Sequence, residues 1–257
     1  MCYPGSLDAE KVAGKIVICV ADDDPIAFRG LKRRQVVQAK SVGVILIEKE
    51  EAVLPSVTGI FPYVQVGDIA GSQILNYINS TKKPTATILP TVEVKRHRPA
   101  PVVAYFSSRG PAQRTENIFK PDKMAPGVAI LAAMLPKIDE AVGDKPSEFS
   151  MRYGTSMSCP HVSGAAAFVK SVRHRWTSPM IKSALMTTPT AYDNTRKLLT
   201  NGSSYIANPH EAGSGGLNPM KAQNPGLVFE TTTQDYLRFL RHNGNSEKDI
   251  RSMSNTV

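Results

Sequence analysis

An α/β fold built on a parallel sheet is the class this sequence predicts, and three observations predict it. Residues 15–20 and 44–47 are short apolar, largely β-branched runs of strand length separated by a helical stretch, which is the order of a strand–helix–strand unit. Residues 61–66, 69–78 and 85–89 continue the alternation as strand, helix and strand. Later, buried-type runs at 102–106 and 129–133 precede Val162, Ala165, Ala166, Val169 and Val172, which recur at helical spacing.

Each element has its own signal. The first strand, at 15–20, runs into a turn-like Asp22-Asp23-Asp24-Pro25, and a helix carrying Leu31, Val36, Val37 and Ala39 follows until Gly43 stops it. Ile74, Leu75 and Ile78 share one side of the helix at 69–78. Pro90, Pro99 and Pro101 mark a connector, so residues 1–89 read as one small α/β unit and 90–241 as a second region, with 242–257 as a tail. In the second region, the strand at 102–106 breaks at Ser107-Ser108-Arg109-Gly110-Pro111, and Ala125-Pro126-Gly127 introduces the next apolar segment. Ser178-Pro179 reads as a cap followed by proline at the first helical position, opening a helix through Ile181, Ala184 and Leu185. Trp176 and the methionines read as core material, and Cys159 as a buried unpaired cysteine.

Composition narrows the functional classes. The chain has 257 residues, of which 41% are hydrophobic and 21% charged, an ordinary globular balance with enough length for a sizeable core. No stretch approaches the roughly 18 to 20 apolar residues that a membrane-spanning helix requires, and no membrane partner is expected. The net charge of +9 is compatible with an anionic partner. Yet neither basic cluster, Arg29 with Lys32, Arg33 and Arg34 or Lys95 with Arg96, His97 and Arg98, has the interleaved aromatic residues of a nucleic-acid stacking platform. No nucleic-acid partner is expected. No His or Cys cluster has metal-ligand spacing and no glycine-rich loop has the phosphate-binding pattern, so neither metal nor cofactor is expected.

Three cysteines cannot make a disulfide scaffold, but Cys2 and Cys19 bracket a segment that one bridge can close, leaving Cys159 alone. Asn79-Ser80-Thr81 and Asn201-Gly202-Ser203 are glycosylation sequons, in keeping with secretion. The first residues, Met1-Cys2-Tyr3-Pro4-Gly5, lack the charged and apolar regions of a signal peptide. The expectation is either a cytosolic chain or one that begins inside a longer secreted protein.

The candidate chemistry centres on Ser156. A serine in a tight glycine-containing turn at a helix start sits where free backbone N–H groups point toward developing negative charge. Position alone equally allows Thr155, Ser156 or Ser158 to be a simple helix cap. The full string, Gly154-Thr155-Ser156-Met157-Ser158-Cys159-Pro160-His161-Val162-Ser163-Gly164, resembles the nucleophile motif of the subtilisin-like serine proteases over eleven positions. Phe106-Ser107-Ser108-Arg109-Gly110-Pro111, Lys120-Pro121-Asp122 with Ala125-Pro126-Gly127, residues 181–188, and Asn218-Pro219 with Pro225-Gly226-Leu227-Val228 resemble further signature segments of plant subtilases, in the family order.

Residues 1–89 resemble the protease-associated domain that this group carries before the serine segment. The resemblance thus implies part of a subtilisin-like doubly wound parallel sheet, preceded by a small α/β protease-associated domain. It also implies a serine endopeptidase that acts on proteins or peptides, is secreted to the apoplast or cell wall, and can self-associate through the protease-associated domain. Ser156 would be the residue that forms the acyl-enzyme.

A serine attacks slowly unless a base takes its proton and a carboxylate orients that base. The Asp-Ser/Thr-Gly and His-Gly-Thr contexts that carry those partners in subtilases are absent, as is the Ala-Gly-Asn segment of the oxyanion hole. None of His97, His161, His174, His210 and His242 is followed by glycine. His161 resembles the family's packing histidine, and the Lys-Arg-His-Arg surroundings of His97 disfavour an imidazolium. The expectation is therefore a serine-bearing portion of a protease, inactive alone. The alternative is a non-catalytic protein-binding module attached to a pseudo-protease remnant.

Overall fold

The computed structural model describes residues 2–21, 28–49, 53, 61–92, 94–113, 115, 117–135 and 148–254. The turn expected at 22–25 lies outside them. Two compact units divide the chain: Met1–His97 with Ala104–Phe106 and Gly127–Gly154, and Arg98–Val103 with Ser107–Pro126 and Thr155–Val257.

The first unit opens with the short helix α1 (Ala9–Val12), capped by Asp8. Strand β1 (Ile16–Val20), helix α2 (Phe28–Gln38), strands β2 (Gly43–Glu48) and β3 (Tyr63–Gly67) and helix α3 (Asp68–Ser80) follow. The three strands form a parallel sheet in the order β1-β2-β3, with Val17 opposite Val44 and Val44 opposite Tyr63. Every residue of β2 is buried, because a central parallel strand is covered on both faces. Val44 and Leu46 point toward Val36 of α2 and toward Val17, Cys2 and Cys19. Ile47 points the other way, against α3, where a Cβ at Gly71 would overlap its side chain. Glycine at 71 is what allows the helix to lie that close to the sheet.

Cys2 and Cys19 are fully buried and joined in a disulfide, tying the chain start to β1. At the end of β2, Glu48 pairs with Arg29 of α2, whose guanidinium also donates to the Tyr105 hydroxyl at 3.4 Å. Burial pushes the Glu48 carboxyl upward, and Arg29 opposes that shift. Burial likewise pushes the Tyr63 phenol up to about 12. Strands β4 (Ile130–Ala133) and β5 (Phe149–Arg152) make an antiparallel pair in the same unit.

The second unit is helical. Helices α4 (Thr155–Val172), α5 (Ser178–Thr187) and α7 (Pro219–Ala222) share a core of Ala165, Val169, Ile181, Ala184, Leu185 and Ala222. Fully burying a Val or Leu side chain contributes about 1.5–3 kcal/mol. The short helix α6 (Pro209–Ala212) carries a capping box between Asn208 and Glu211. Helices α8 (Thr233–His242) and α9 (Glu247–Ser254) pack against each other, with Ile250 2% exposed, so a helix occupies much of the stretch read as a tail.

Several expectations are corrected. The doubly wound parallel sheet expected in 90–241 is not formed among the described residues, where the parallel strands all belong to the first unit. Of the strand expected at 102–106, only Val103 pairs, through one bridge to Asn201. A strand persists only where a ladder of partners continues, and here the chain turns at 105–106. Residues 85–89 form no strand either. Pro84 and Pro90 lack amide donors, and the Tyr77 hydroxyl takes the Thr85 N–H at 3.1 Å and donates to the Thr85 carbonyl at 3.3 Å.

Thr177, not Ser178, caps α5, with its hydroxyl oxygen accepting from the Met180 amide. Val172, the last residue of α4, is 47% exposed because the helix ends there. Cys159 is exposed, as are Met220 and Met253, while Trp176 is half-buried against the α4–α5 core.

Because Cys2–Cys19 closes a segment with a sequence separation of 17, Cys2→Ala is expected to destabilise the first unit. A loop of this length is worth about 3 kcal/mol in the chain-entropy account. Urea unfolding with and without reductant checks this: reductant lowers the wild-type midpoint and leaves that of Cys2→Ala unchanged.

Candidate active site

Ser156 stands at the second residue of α4, exposed to solvent. Three features of the sequence place it there. Gly154 has φ of 143°, a backbone conformation that glycine alone adopts freely, and its amide donates to the Gly127 carbonyl at 2.8 Å. Within the first turn, the Ser158 hydroxyl donates to the Ala125 carbonyl at 2.9 Å and ties the helix start to the Ala125-Pro126 turn. Pro160 sits inside the helix and has no amide, so the Ser156 carbonyl lacks its usual partner four residues on.

The consequence is a pinned helix start whose leading N–H groups have no partners within the helix. An 18-residue helix places roughly half a positive charge there, suited to developing negative charge on a nearby oxygen. Among the described residues no side chain hydrogen-bonds the Ser156 hydroxyl.

Among the described residues, no histidine is hydrogen-bonded to the Ser156 hydroxyl. The ring of His161 is oriented by its own helix, with Nδ1–H donating to the Met157 carbonyl at 2.8 Å, and it makes no hydrogen bond to the Ser156 hydroxyl. That bond leaves its lone pair on Nε2. His210 packs its ring 5.7 Å from the Phe119 ring, and His174 and His242 are exposed. His97 belongs to the other compact unit.

Two carboxylates near the signature segments hold structure together. Asp122 takes Lys120 at 2.7 Å and Lys182 of α5 at 3.2 Å. Burial raises its carboxyl, but these two lysines outweigh that and hold it below the usual range. Glu211, 7% exposed, accepts from the Asn208 amide at 3.0 Å, Arg109 Nε at 2.8 Å and Asn201 Nδ2 at 3.2 Å. The Asn208 amide and the Arg109 guanidinium, in that order, hold its carboxyl low.

The sequons differ in surroundings. Asn79 is exposed in the last turn of α3. The Asn201 side chain donates to Glu211 and accepts from the amides of Ser203 and Tyr205, both at 3.1 Å. Among the described residues, no group of three or more His, Cys, Asp or Glu side chains is placed to hold a metal ion.

Residues 36–215 match the family described as "Subtilase family". The chain belongs to this family. It is 41% identical over 257 residues to a CO(2)-response secreted protease of Arabidopsis thaliana, covering 98% of this chain and 33% of that protein. It is also 40% identical over 258 residues to subtilisin-like protease SBT5.1 of the same plant, covering 100% of this chain and 33% of the relative. With subtilisin-like protease SBT1.7, again of Arabidopsis thaliana, it shares 42% identity over 262 residues, covering 99% and 34%. This subtilase chain therefore spans about a third of the length of the curated relatives it matches.

The subtilase signature segments meet in long-range contacts that motif reading missed. The pairing of Arg109 with Glu211 spans 102 positions. Buried charged atoms are equally hard to find from sequence: the amine of Lys123, between Asp122 and Met124, is enclosed without a hydrogen-bond partner.

Since its folded-state carboxyl is held low, Glu211 stabilises the second unit above the ordinary glutamate value of 4.5, and that contribution is lost as acid protonates it below. Glu211→Gln is expected to cost about 1–3 kcal/mol at neutral pH. Urea midpoints measured from neutral to acidic pH check it: the gap between wild type and variant closes on acidification.

Proposed function

We propose that this chain is the serine-bearing portion of a subtilisin-like serine endopeptidase, with Ser156 as the nucleophile that attacks a peptide carbonyl and forms the acyl-enzyme. The observation that carries this reading is the exposed Ser156 hydroxyl at the pinned, glycine-preceded start of an 18-residue helix. Its own N–H, free of an intrahelical partner, is suited to stabilise the oxyanion of the tetrahedral intermediate. The Oγ proton must pass to a base during attack, and no described histidine is hydrogen-bonded to receive it. In subtilisin, losing that histidine costs on the order of a millionfold in turnover. The chain alone is accordingly read as nearly inert, and active in the setting of a longer polypeptide that supplies a histidine and an aspartate.

Residues 1–89 are read as a protease-associated domain and 90–241 as the serine-bearing part of the catalytic domain. The parallel sheet flanked by α2 and α3 supports the first of these. A secreted location follows the name of the CO(2)-response secreted protease and fits the buried Cys2–Cys19 disulfide, and the resemblance to plant subtilases makes the apoplast or cell wall the destination. The substrates are proteins or peptides, and the protease-associated domain offers a surface for self-association. A second reading, a non-catalytic binding module, is favoured by the Ser156 hydroxyl having no hydrogen bond from any histidine among the described residues.

A fluorophosphonate probe separates the two readings. A serine without a base reacts slowly rather than not at all, so slow labelling that maps to Ser156 and vanishes in Ser156→Ala is expected. A folded chain that takes no label at Ser156 supports the binding module instead. For secretion, expression through a eukaryotic secretory pathway is expected to add a glycan at exposed Asn79, removed by Asn79→Gln. A glycan at Asn201 would have to break the Glu211 network, so glycosidase-sensitive mass at that peptide contradicts the structure's use of its amide.

A further inference from the structure

Lys123 stands apart from every other charged group placed in the second unit. Its Nζ is buried without a hydrogen-bond partner. Its main chain is held on both sides: Lys123 bridges Gly213, the Ser214 amide donates to the Asp122 carbonyl at 3.1 Å, and the Met124 amide donates to the Gly215 carbonyl at 3.0 Å. The Leu217 amide donates to the Met124 carbonyl at 2.9 Å. At Gly213, φ is 64° and a Cβ would lie 2.7 Å from the Lys123 nitrogen, so the two segments touch backbone to backbone.

Among the described residues, no charged or titratable group in the neighbouring segments compensates it. Asp122 is engaged with Lys120 and Lys182, and Glu211 with Asn208, Arg109 and Asn201. Burial alone acts on the amine and pushes it down to about 8. Two residues further along, the Ala125 carbonyl holds the Ser158 hydroxyl, and Ser158 lies in the same helical turn as Ser156.

We propose that Lys123 is a proton-sensitive latch: protonation of its enclosed amine loosens 122–125 and, through the Ser158–Ala125 hydrogen bond, the turn that carries Ser156. An ammonium cannot stay cheaply where water is excluded and no hydrogen-bond partner meets it, so the segment yields to let it reach water. The neutral amine keeps the turn closed. Because the folded-state amine is held below its ordinary value of 10.5, the destabilisation is complete below about 8 and is relieved as pH rises between these values. That this regulates chemistry rests on the reading of Ser156 as nucleophile; the conformational coupling does not.

Amide exchange, corrected for its intrinsic pH dependence, tests the latch on the whole chain without any acylating probe. Residues 122–125, where the Met124 amide is bonded to Gly215, and residues 159–162, the first bonded amides of α4, are expected to be about tenfold or more better protected in the wild type near pH 9.5 than near pH 6.5. Lys123→Met, permanently neutral, should be well protected at both, and Lys123→Arg, permanently charged, poorly protected at both. Ser158→Ala should keep the response at 122–125 and lose it at 159–162. Ser156→Ala should retain the full response, which separates failure of the latch from failure of the nucleophile reading. Equal protection of wild type and Lys123→Met at both pH values overturns the proposal, as does a response at 122–125 that never reaches 159–162 while Ser158 is intact.

Discussion

The start of α4 is the constraint on which the site depends. A helix must begin with amides that no preceding turn can satisfy, and here three residues decide how that happens. Gly154 admits the chain at a φ of 143°, Ser158 binds the Ala125 carbonyl, and Pro160 removes the amide that would have engaged the Ser156 carbonyl. Behind them, Ala165 and Val169 anchor the helix in a core shared with α5 and α7, so the pinned turn rests on a packed support. The chemistry proposed for Ser156 is a property of this turn rather than of the serine alone.

Buried charges elsewhere show what the fold accepts. Glu48 is enclosed but meets Arg29, and Glu211 is enclosed but receives an amide, a guanidinium and a carboxamide. Each has the partners that make an interior charge tolerable. Lys123 breaks the pattern, and it does so on the segment whose carbonyl pins the serine turn. An uncompensated amine at that place costs stability whenever it is charged, which gives the turn a dependence on proton concentration that neither carboxylate confers.

Much of the first unit is legible in the sequence because its signals are local. The β-branched run at β2, the glycine that begins it and the helical spacing of α3 each depend on neighbours in the chain, and the structure follows them closely. The serine motif was legible for the same reason, as was the helical periodicity from Val162 to Val169. Where the outcome turned on distant partners, reading failed. Residues 85–89 have strand-like composition but spend their hydrogen bonds on Tyr77, and 102–106 find one bridge instead of a ladder. The pairing of Arg109 with Glu211, the exposure of Cys159 and the enclosure of Lys123 are likewise set by tertiary placement, which no spacing rule encodes.

The central proposal is that the Ser156 turn is organised for acyl transfer while, among the described residues, no histidine or carboxylate is hydrogen-bonded to its hydroxyl. The most direct measurement refolds the chain together with the histidine- and aspartate-bearing portion of a subtilase relative and follows cleavage of a fluorogenic peptide. Cleavage that appears only in the mixture, and disappears when Ser156→Ala replaces the wild-type chain, is the predicted result. A stable complex of the two polypeptides that cleaves nothing, or that cleaves equally well with Ser156→Ala, would contradict it.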